Sequence, residues 1–512
     1  MCTHRGRELA LALTMLALSG CVTGSRTAGI RSVDRELQNA NDGAPHLDEA
    51  GALGASDARV QELLAAPLTA SAAVQVAFLR NPQVLEAYAR LGLSQSDVVA
   101  ASRIANPVVS GSVITGAGER QAVGEIDQSI TELLMLSARR RLAAGEYERA
   151  QQLIAASLLD LIRDTEIAWY RYVSAEQVSA MRGAVAHAAE VSATLAQRFF
   201  DAGNISELAL TLNRANAAQA HLEALRAATQ ARAAKYQLQE QMGLSGNPQW
   251  RALPDLPAPV PVPDTADVLV SRAHEHRADL LAARQEVTLL EDALGVARRW
   301  RWLGTVQVGV QRERETDGAV LTGPTLALAL PIFNQGQSGI ARAEAQLGFG
   351  RARLRSLEAS ADNAVRLGLE RLAAAHQVAE EYRQSLVPEH ELLVKRQQEL
   401  QNFMFIGQFE LLRSKQQQYD TYQGYLEAVR DWWLARAELV RAVGAELPRG
   451  TTSDTPPVGV DETLHPAPAV MGPMEHSHHG GPSRAPSPGD SEMPDMPGME
   501  KPPREPPPNA PK

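Results

Sequence analysis

Two stretches of this chain repeat one another at a constant separation of 204 residues. The matching positions are Phe199 and Phe403, Gly203 and Gly407, and the sequence LEALR at 222–226 and LEAVR at 426–430. The separation stays constant from 197 to 233, which helical composition alone would not produce. An internal duplication constrains an architecture more strongly than local propensities do. We therefore expect two similar halves that form equivalent parts of one fold.

The N-terminus has the features of an export signal. A basic start precedes an apolar run at 9–18, and Leu18-Ser19-Gly20-Cys21 follows. Ten apolar residues are too few to cross a bilayer as a helix, which needs about 20. The last four residues resemble a bacterial lipobox, so we predict a signal peptide over 1–20 and a lipid on Cys21. The alternative is an ordinary signal peptide with an incidental cysteine.

Composition excludes several classes of function. The net charge of −10 argues against nucleic-acid binding. After the signal, the sequence has no apolar run long enough to predict a transmembrane helix. Aromatic residues are only 4%, and long tracts rich in Ala, Leu, Arg, Glu and Gln indicate extended helices. Gly-rich phosphate loops, His-Glu-x-x-His and Gly-x-Ser-x-Gly do not occur, so neither an enzyme nor a cofactor is predicted.

Composition and periodicity divide the chain into six segments. They are the signal peptide 1–20, an N-terminal lipidated arm 21–67, a first repeat 68–243, a Pro-rich linker 244–265, a second repeat 266–447 and a tail 448–512. The arm lacks periodicity and is predicted to be extended, whereas the prolines make the linker a stiff connection. Each repeat contains two short helices, a strand pair, a long helix and a return helix. We predict strands at 108–115, 125–134, 305–312 and 325–333, and long helices at 138–200 and 338–405, the second kinked at Pro388.

The second strand pair has the clearest alternation in the chain. Val306, Val308 and Val310 alternate with small or polar residues, and 325–330 alternates leucine with threonine or alanine. This pattern is typical of a barrel wall with lipid on one side and water on the other. The first pair is weaker and taken alone fits a surface hairpin equally well. Four strands cannot close a barrel, and membranes do not tolerate open edges, so several chains must contribute.

The order of these elements resembles the TolC-type outer-membrane efflux family. The segment GPTLALALPIFNQGQ at 323–337 is similar to that family's strand-to-helix signature, and Arg277-Ala278-Asp279-Leu280 to its common Arg-Pro-Asp-Leu. The resemblance implies a mainly α fold with a small β part, in which duplicated helical hairpins form a trimeric tunnel. Four strands from each chain would form a shared 12-stranded transmembrane β-barrel. The implied partners are two further chain copies, a periplasmic adaptor protein, an inner-membrane RND-type pump and outer-membrane lipid.

The same resemblance identifies the hairpin tips and shows where this chain departs from the family. Phe199 with Gly203 and Phe403 with Gly407 fall where the family has its periplasmic tips, which contact the adaptor. Glu132 and Ser137 stand where the second repeat has Pro331 and Gly336, so the first strand-to-helix corner is atypical. The aspartates that gate TolC itself correspond to Arg413, Gln416, Ala209 and Leu212, so that gate is not carried over.

The C-terminal tail is rich in Pro, Gly and Ser and cannot pack a core. Its candidate metal ligands are His465, Met471, Met474, His476, His478, His479, Met493, Met496 and Met499. Thioether and imidazole groups together suit Cu(I), and imidazole also suits Zn(II) or Ni(II). We interpret the tail as a metal-gathering segment. The alternative is an extension whose composition has drifted without function.

These observations predict a passive exit duct in the outer membrane, anchored by lipid and extending into the periplasm. The lipobox and the tail favour the metal-efflux branch of the resembled family, which includes CusC and CzcC, with copper, zinc or cobalt as substrates. Efflux of organic drugs through the same duct is one alternative. A structural coiled-coil lipoprotein without a pore is a second.

Overall fold

The computed structural model describes residues 26–40, 44–47, 56–116, 119–246, 248–261, 264–447 and 458–459. The N-terminal half contains α1 Arg26–Ala40, α2 Ser56–Ala65, α3 Ala70–Arg80, α4 Pro82–Ala101, β1 Val108–Gly116, β2 Glu119–Ser129, α5 Ile130–Asp201 and α6 Glu207–Gln241. The C-terminal half contains α7 Ala266–His276, α8 Ala278–Arg299, β3 Val306–Arg314, β4 Val320–Leu328, α9 Gln337–Glu381, the π-helical segment Tyr382–Leu386, α10 Val387–Asn402 and α11 Gln408–Val443. The predicted mainly α fold with duplicated hairpins is confirmed.

The return helices of the two halves repeat in space at a separation of 201 residues rather than 204. The return helices α6 and α11 begin at Glu207 and Gln408, which are 201 positions apart. The left-handed glycines after them, Gly243 (φ 66°) and Gly444 (φ 72°), have the same separation. The sequence matches at 204 are therefore three positions out of the spatial register. Three residues are close to one helical turn, so a shifted alignment still matches much of the same helix face.

The first strand-to-helix corner is tighter than the sequence predicted. β2 ends at Ser129 instead of the predicted 134, and α5 begins at the next residue. The backbone N–H of Glu132 donates to Ser129 Oγ at 3.4 Å, which caps the helix. The equivalent position in the second repeat is Pro331, which has no N–H to donate. There β4 ends at Leu328 instead of the predicted 333, and α9 begins only after the left-handed Gly336.

Most of the described part of the N-terminal arm lies in the helices α1 and α2, so the prediction of an extended arm was wrong. Val33 and Leu37 of α1 are buried, and they pack with Phe78 and Leu91 of the short helices and with Ile154 of α5. The spacing of Val33 and Leu37 is the helical signal, but it covers little more than one turn within an Ala-, Gly- and Asp-rich segment. Each such buried aliphatic side chain stabilises the fold by about 1.5–3 kcal/mol.

The Pro-rich linker, predicted to be a stiff connection, contributes side chains to the core. Trp250 and Leu256 are buried in the same cluster as Trp169 of α5. The Leu68 backbone N–H donates to the Arg251 carbonyl at 2.8 Å, and Trp169 Nε1 donates to the Leu68 carbonyl at 2.9 Å. The linker therefore ties the start of the first repeat to the middle of its longest helix.

The core lies where the short helices cross the middle of the long ones. α5, with 72 residues, would extend roughly 108 Å at 1.5 Å per residue. It packs against α6, α8 and α11. A second cluster joins Val365 of α9 to Trp432 and Leu439 of α11. In the part of the chain that the structure describes, no helix combines the length and the apolar content needed to cross a membrane.

The predicted kink at Pro388 takes the form of a π-helical turn. The Val387 N–H donates to the Tyr382 carbonyl, so one extra residue is accommodated immediately before the proline. Proline lacks an N–H and its ring crowds the carbonyl four residues earlier, which favours such an irregularity. The Tyr382 ring then lies over Gly424 of α11, where a Cβ would approach the ring carbon Cζ to 2.7 Å.

We expect Gly424→Ala to lower the free energy of unfolding by about 1–3 kcal/mol because the methyl group would displace the Tyr382 ring. Gly183→Ala in α5 is the matched control, since a Cβ there meets no atom within 4 Å. Alanine loses less backbone freedom than glycine on folding, so Gly183→Ala should raise the free energy of unfolding by about 0.5–1 kcal/mol. Denaturant unfolding of the detergent-solubilised chain measures both changes. Equal effects of the two substitutions would contradict the described packing.

Candidate functional site: the four-stranded sheet and the hairpin tips

The strands of both repeats form one antiparallel sheet in the order β1-β2-β3-β4. β2 pairs with β3 from Ala122 opposite Arg314 to Ser129 opposite Gln307, so the sheet joins the two halves directly. β1 and β4 are the outer strands, and each is paired along one side only within the described chain. The β1–β2 and β3–β4 turns therefore lie together at one end of the sheet, the turn-bearing end. The helices that precede and follow the two strand pairs adjoin the other end, the helix-bearing end.

One face of the sheet is apolar and exposed. Val109, Ile126 and Val310 lie side by side across three strands, and Val308 pairs with Leu326. These side chains are exposed, Leu326 by 70%. A contiguous apolar face of this kind is unusual on a monomeric soluble protein and marks a surface that contacts lipid or another protein. Both predicted strand pairs are present, but the apolar alternation is clear only in the second pair, since Ile114 and Val123 of the first lie on the opposite face.

The charges of the strands are separated by face. Residues of odd number in β2 and β3 share one face, because Ile126 pairs with Val310. The carboxylates on that face are Glu119, Glu125, Asp127 and Glu313. The arginines of the strands, Arg120, Arg312 and Arg314, have even numbers and lie on the apolar face. This separation was not predicted from the sequence, although the alternation Arg312-Glu313-Arg314 indicates it.

The polar face holds its carboxylates by local contacts. Gln121 Nε2 donates to a Glu313 carboxylate oxygen across the β2–β3 pair. Thr325 Oγ1 lies 3.5 Å from Asp127 Oδ1. Gly309 stands between these two residues, and a Cβ there would lie 2.6 Å from the Ile126 carbonyl oxygen. The glycine therefore leaves the space that the Asp127 side chain occupies.

The two hairpin tips have different turns. After α5, Gly203 takes a left-handed conformation (φ 73°), and the Asn204 N–H donates to the Phe199 carbonyl at 2.8 Å. After α10 the left-handed residue is Met404 (φ 61°), whereas Gly407 has φ −80° and precedes α11 as its N-cap. The predicted equivalence of Gly203 and Gly407 is therefore wrong. In the spatial repeat of 201 residues, Gly407 corresponds to Ser206.

The tips also differ in polarity. The second tip exposes three large apolar side chains, Phe403, Met404 and Phe405, and Met404 is 92% exposed. The first tip carries Asp201 and Asn204 at the corresponding turn. The two tips approach each other, since the rings of Phe199 and Phe409 meet edge to face with centroids 6.3 Å apart.

The four residues that the resemblance aligns with the gating aspartates of TolC lie around one cavity near the tips. This cavity of about 280 Å³ lies between α5, α6 and α11. Ala209 and Leu212 line it from α6, and Arg413 and Gln416 line it from α11, where Lys415 adds a second cation. Arg413, Lys415 and Gln416 thus give this cavity basic and amide groups where TolC has aspartates.

A charged junction forms where the Arg277-Ala278-Asp279-Leu280 motif meets the end of α11. Arg277 Nη2 donates to Asp279 Oδ2 at 2.7 Å, and Nη1 donates to the Ala442 carbonyl at 3.2 Å. Burial would raise the pKa of Asp279, but the hydrogen bonds and charge of Arg277 outweigh it and hold that pKa below its usual value. Burial raises the pKa of Asp160, which pairs with Arg441 beside this junction. The motif thus anchors the end of the second repeat.

The remaining predicted site residues lie outside the described residues. They are Cys21 and the tail residues His465, Met471, Met474, His476, His478, His479, Met493, Met496 and Met499. Over the ranges that the structure describes, no group of three or more His, Cys, Asp or Glu residues is arranged to hold a metal ion. His274 instead pairs with Asp362 at 2.6 Å.

Solved structures share this fold. No protein-family model and no curated protein sequence matches the chain. VceC, an outer membrane protein of Vibrio cholerae, matches with a TM-score of 0.59 and 14% identity over 76% of this chain and 97% of that chain. The MtrE outer membrane channel of Neisseria gonorrhoeae matches with 0.58 and 15% over 76% and 90%. The CmeC outer membrane channel of Campylobacter jejuni matches with 0.56 and 13% over 83% and 87%. The chain therefore has the fold of outer-membrane channels.

The tip geometry predicts opposite effects of the same substitution at two glycines. Gly203→Ser should lower the free energy of unfolding by about 1–2 kcal/mol because a side chain disfavours the left-handed conformation. Gly407→Ser should be neutral or stabilising by a few tenths of a kcal/mol, since serine is a good N-cap, as Ser206 is in the first repeat. Denaturant unfolding and hydrogen exchange at the tips measure the effects. A loss at Gly407 equal to that at Gly203 would contradict the 201-residue register.

Proposed function

We propose that this chain is the outer-membrane exit duct of a tripartite efflux system. The observation that carries the proposal is the two-faced sheet, with an exposed aliphatic face, a carboxylate-bearing face and outer strands paired on one side only. A bilayer tolerates no unpaired strand edge, so β1 of one copy must pair with β4 of the next. Three copies, the number that the family resemblance implies, supply 12 strands from four strands each.

In this arrangement the aliphatic face contacts lipid and the carboxylate face lines the pore. Strands of nine to eleven residues suit a hydrocarbon core crossed at the usual tilt of barrel strands. The helical hairpins then extend into the periplasm as a tunnel. The lipid on Cys21 is part of the same proposal, because it would anchor each copy to the membrane beside its strands.

The pore lining favours cations as cargo. Four carboxylates per chain become twelve in three copies, a ring of negative charge that raises the local concentration of cations. The tail adds thioether and imidazole ligands that suit copper or zinc. We therefore propose heavy-metal cations as the substrate, gathered by the tail and released through the acidic pore.

The exposed second tip is the proposed contact for the periplasmic adaptor. Phe403, Met404 and Phe405 together present an apolar patch at the end of the tunnel farthest from the sheet. Aromatic residues and methionine are enriched in protein interfaces. The pump itself would meet the adaptor in the inner membrane and supply the energy.

Ion selectivity tests the pore lining. In planar bilayers we expect the wild-type chain to form channels that favour potassium over chloride. The triple substitution Glu125→Gln, Asp127→Asn, Glu313→Gln should lower that preference several-fold because it removes nine charges from the pore of a trimer. Gln307→Asn is the control, since it changes the same face without changing charge. Absence of conductance would reject the duct, and unchanged selectivity would reject the proposed pore face.

Growth of the host tests the cargo. Deletion of the gene should reduce tolerance to copper or zinc, and complementation with a chain lacking 461–512 should restore tolerance only in part. A full-length chain with the tail's four histidines and five methionines replaced by serine is the matched control for tail length. It should behave like the truncation, because the ligands and not the extra length carry the effect. Sensitivity to organic drugs alone would keep the duct and reject metal as its cargo.

A further inference from the structure

Three arginines gather on the apolar face of the sheet at its turn-bearing end. Arg312 and Arg314 are two positions apart on β3, on the same face. Arg314 pairs with Ala122, so Arg120 is its diagonal neighbour on β2. Such diagonal and same-face neighbours lie about 7–8 Å apart at their Cβ atoms. Three guanidinium groups on flexible stems can therefore reach one common anion.

Their cross-strand partners on this face are small or uncharged. Arg120 lies opposite Thr115, Arg312 lies between Gly124 and Thr322, and Arg314 lies between Ala122 and Val320, as the pairing of the four strands shows. The three side chains are exposed, and the strand carboxylates are all on the opposite face. The positive charge on this face is thus not neutralised by the described strands.

The arginines lie at the end of the sheet opposite to two exposed aromatic residues. At the helix-bearing end, Trp302 precedes β3 and Phe333 follows β4, and both are exposed, Phe333 by 96%. Aliphatic side chains occupy the middle, and the arginines follow at the turns. Aromatic residues are typical of the interface between hydrocarbon and headgroups. Long basic side chains run along apolar surface and extend their charge to the next polar layer.

We propose that Arg120, Arg312 and Arg314 bind phosphate groups of lipid headgroups in the membrane leaflet that is farther from the helices. The proposal rests on the proposed function, in which the sheet spans a membrane and its apolar face contacts lipid. The turn-bearing end then lies at the opposite membrane surface from the helical tunnel. The occupant is a lipid because the charge is continuous with the lipid-contacting face.

The chemistry favours a phosphomonoester over a neutral or zwitterionic headgroup. Guanidinium groups donate paired hydrogen bonds to phosphate oxygens. Each basic residue near a charged membrane surface contributes a free energy that corresponds to about fivefold in affinity. Three arginines should therefore give a preference of at least tenfold for a lipid with a doubly charged phosphate.

The test is the lipid preference of the full-length chain in vesicles of phosphatidylcholine that contain a minor fraction of phosphatidic acid. Electron spin resonance of labelled lipids measures the relative association of each lipid with the protein. We expect at least tenfold preference for phosphatidic acid, and a value near one after Arg120→Gln, Arg312→Gln, Arg314→Gln. Arg226→Gln, Arg342→Gln, Arg355→Gln is the charge-matched control, because these exposed arginines are on helices. The control should keep the preference.

Two measurements test the arginine site and the proposed function separately. Flotation with pure phosphatidylcholine vesicles first measures insertion, which does not depend on the arginines. A chain that fails to insert would reject the membrane-spanning sheet itself. A chain that inserts without preference for phosphatidic acid, or keeps it in the strand triple variant, would reject only the arginine site. Displacement of the labelled lipid by inorganic phosphate would also reject it, because the site would then bind a soluble anion.

Discussion

The antiparallel pairing of β2 with β3 is the contact on which the rest of the architecture depends. It joins strands from two different repeats, and it fixes on which side of the sheet each of their side chains lies. Both strand pairs then send their long helices away from the same end of the sheet. The pairing also leaves β1 and β4 at the outside, where hydrogen-bonding groups face outward along two edges. Such edges favour pairing with further strands, and this is the physical reason to consider several copies of the chain.

The helical part is held together mainly by packing at its middle. Trp169 of α5 and Val429 of α11 belong to one buried cluster, and the Pro-rich linker contributes Trp250 to it. Towards the tips each hairpin pairs within itself, α5 with α6 and α10 with α11, and the two hairpins also meet through the rings of Phe199 and Phe409. The burial that stabilises the molecule is therefore concentrated near the junction of short and long helices, while the two tips have few buried side chains to restrain them.

Sequence reasoning predicted the elements that have a strong period and missed those set by single contacts. The alternating valines of β3 and leucines of β4 predicted strands correctly, because alternation is a direct consequence of strand geometry. The end of β2 at Ser129 was predicted in the wrong place, because the start of α5 depends on one hydrogen bond, from the Glu132 N–H to Ser129 Oγ. The turn at Met404 could not be predicted, since a left-handed methionine is disfavoured and only the surrounding helices impose it. The sequence shows which residues of a single strand share a face. Only the β2–β3 pairing shows which faces of different strands lie on the same side of the sheet.

The separation of charges by face also makes the orientation of the sheet difficult to reverse. Arg312, Glu313 and Arg314 alternate on one strand, so turning the proposed barrel inside out would place Glu313 and Asp127 on the lipid-facing side and both arginines on the pore side. In that reversed orientation the carboxylates would face lipid, where a charged side chain near the middle of the membrane is destabilising. The aliphatic side chains, among them Val310 and Leu326, would then face the pore side instead of lipid. Because the aliphatic residues and the carboxylates lie on opposite faces, only one orientation places both in suitable surroundings.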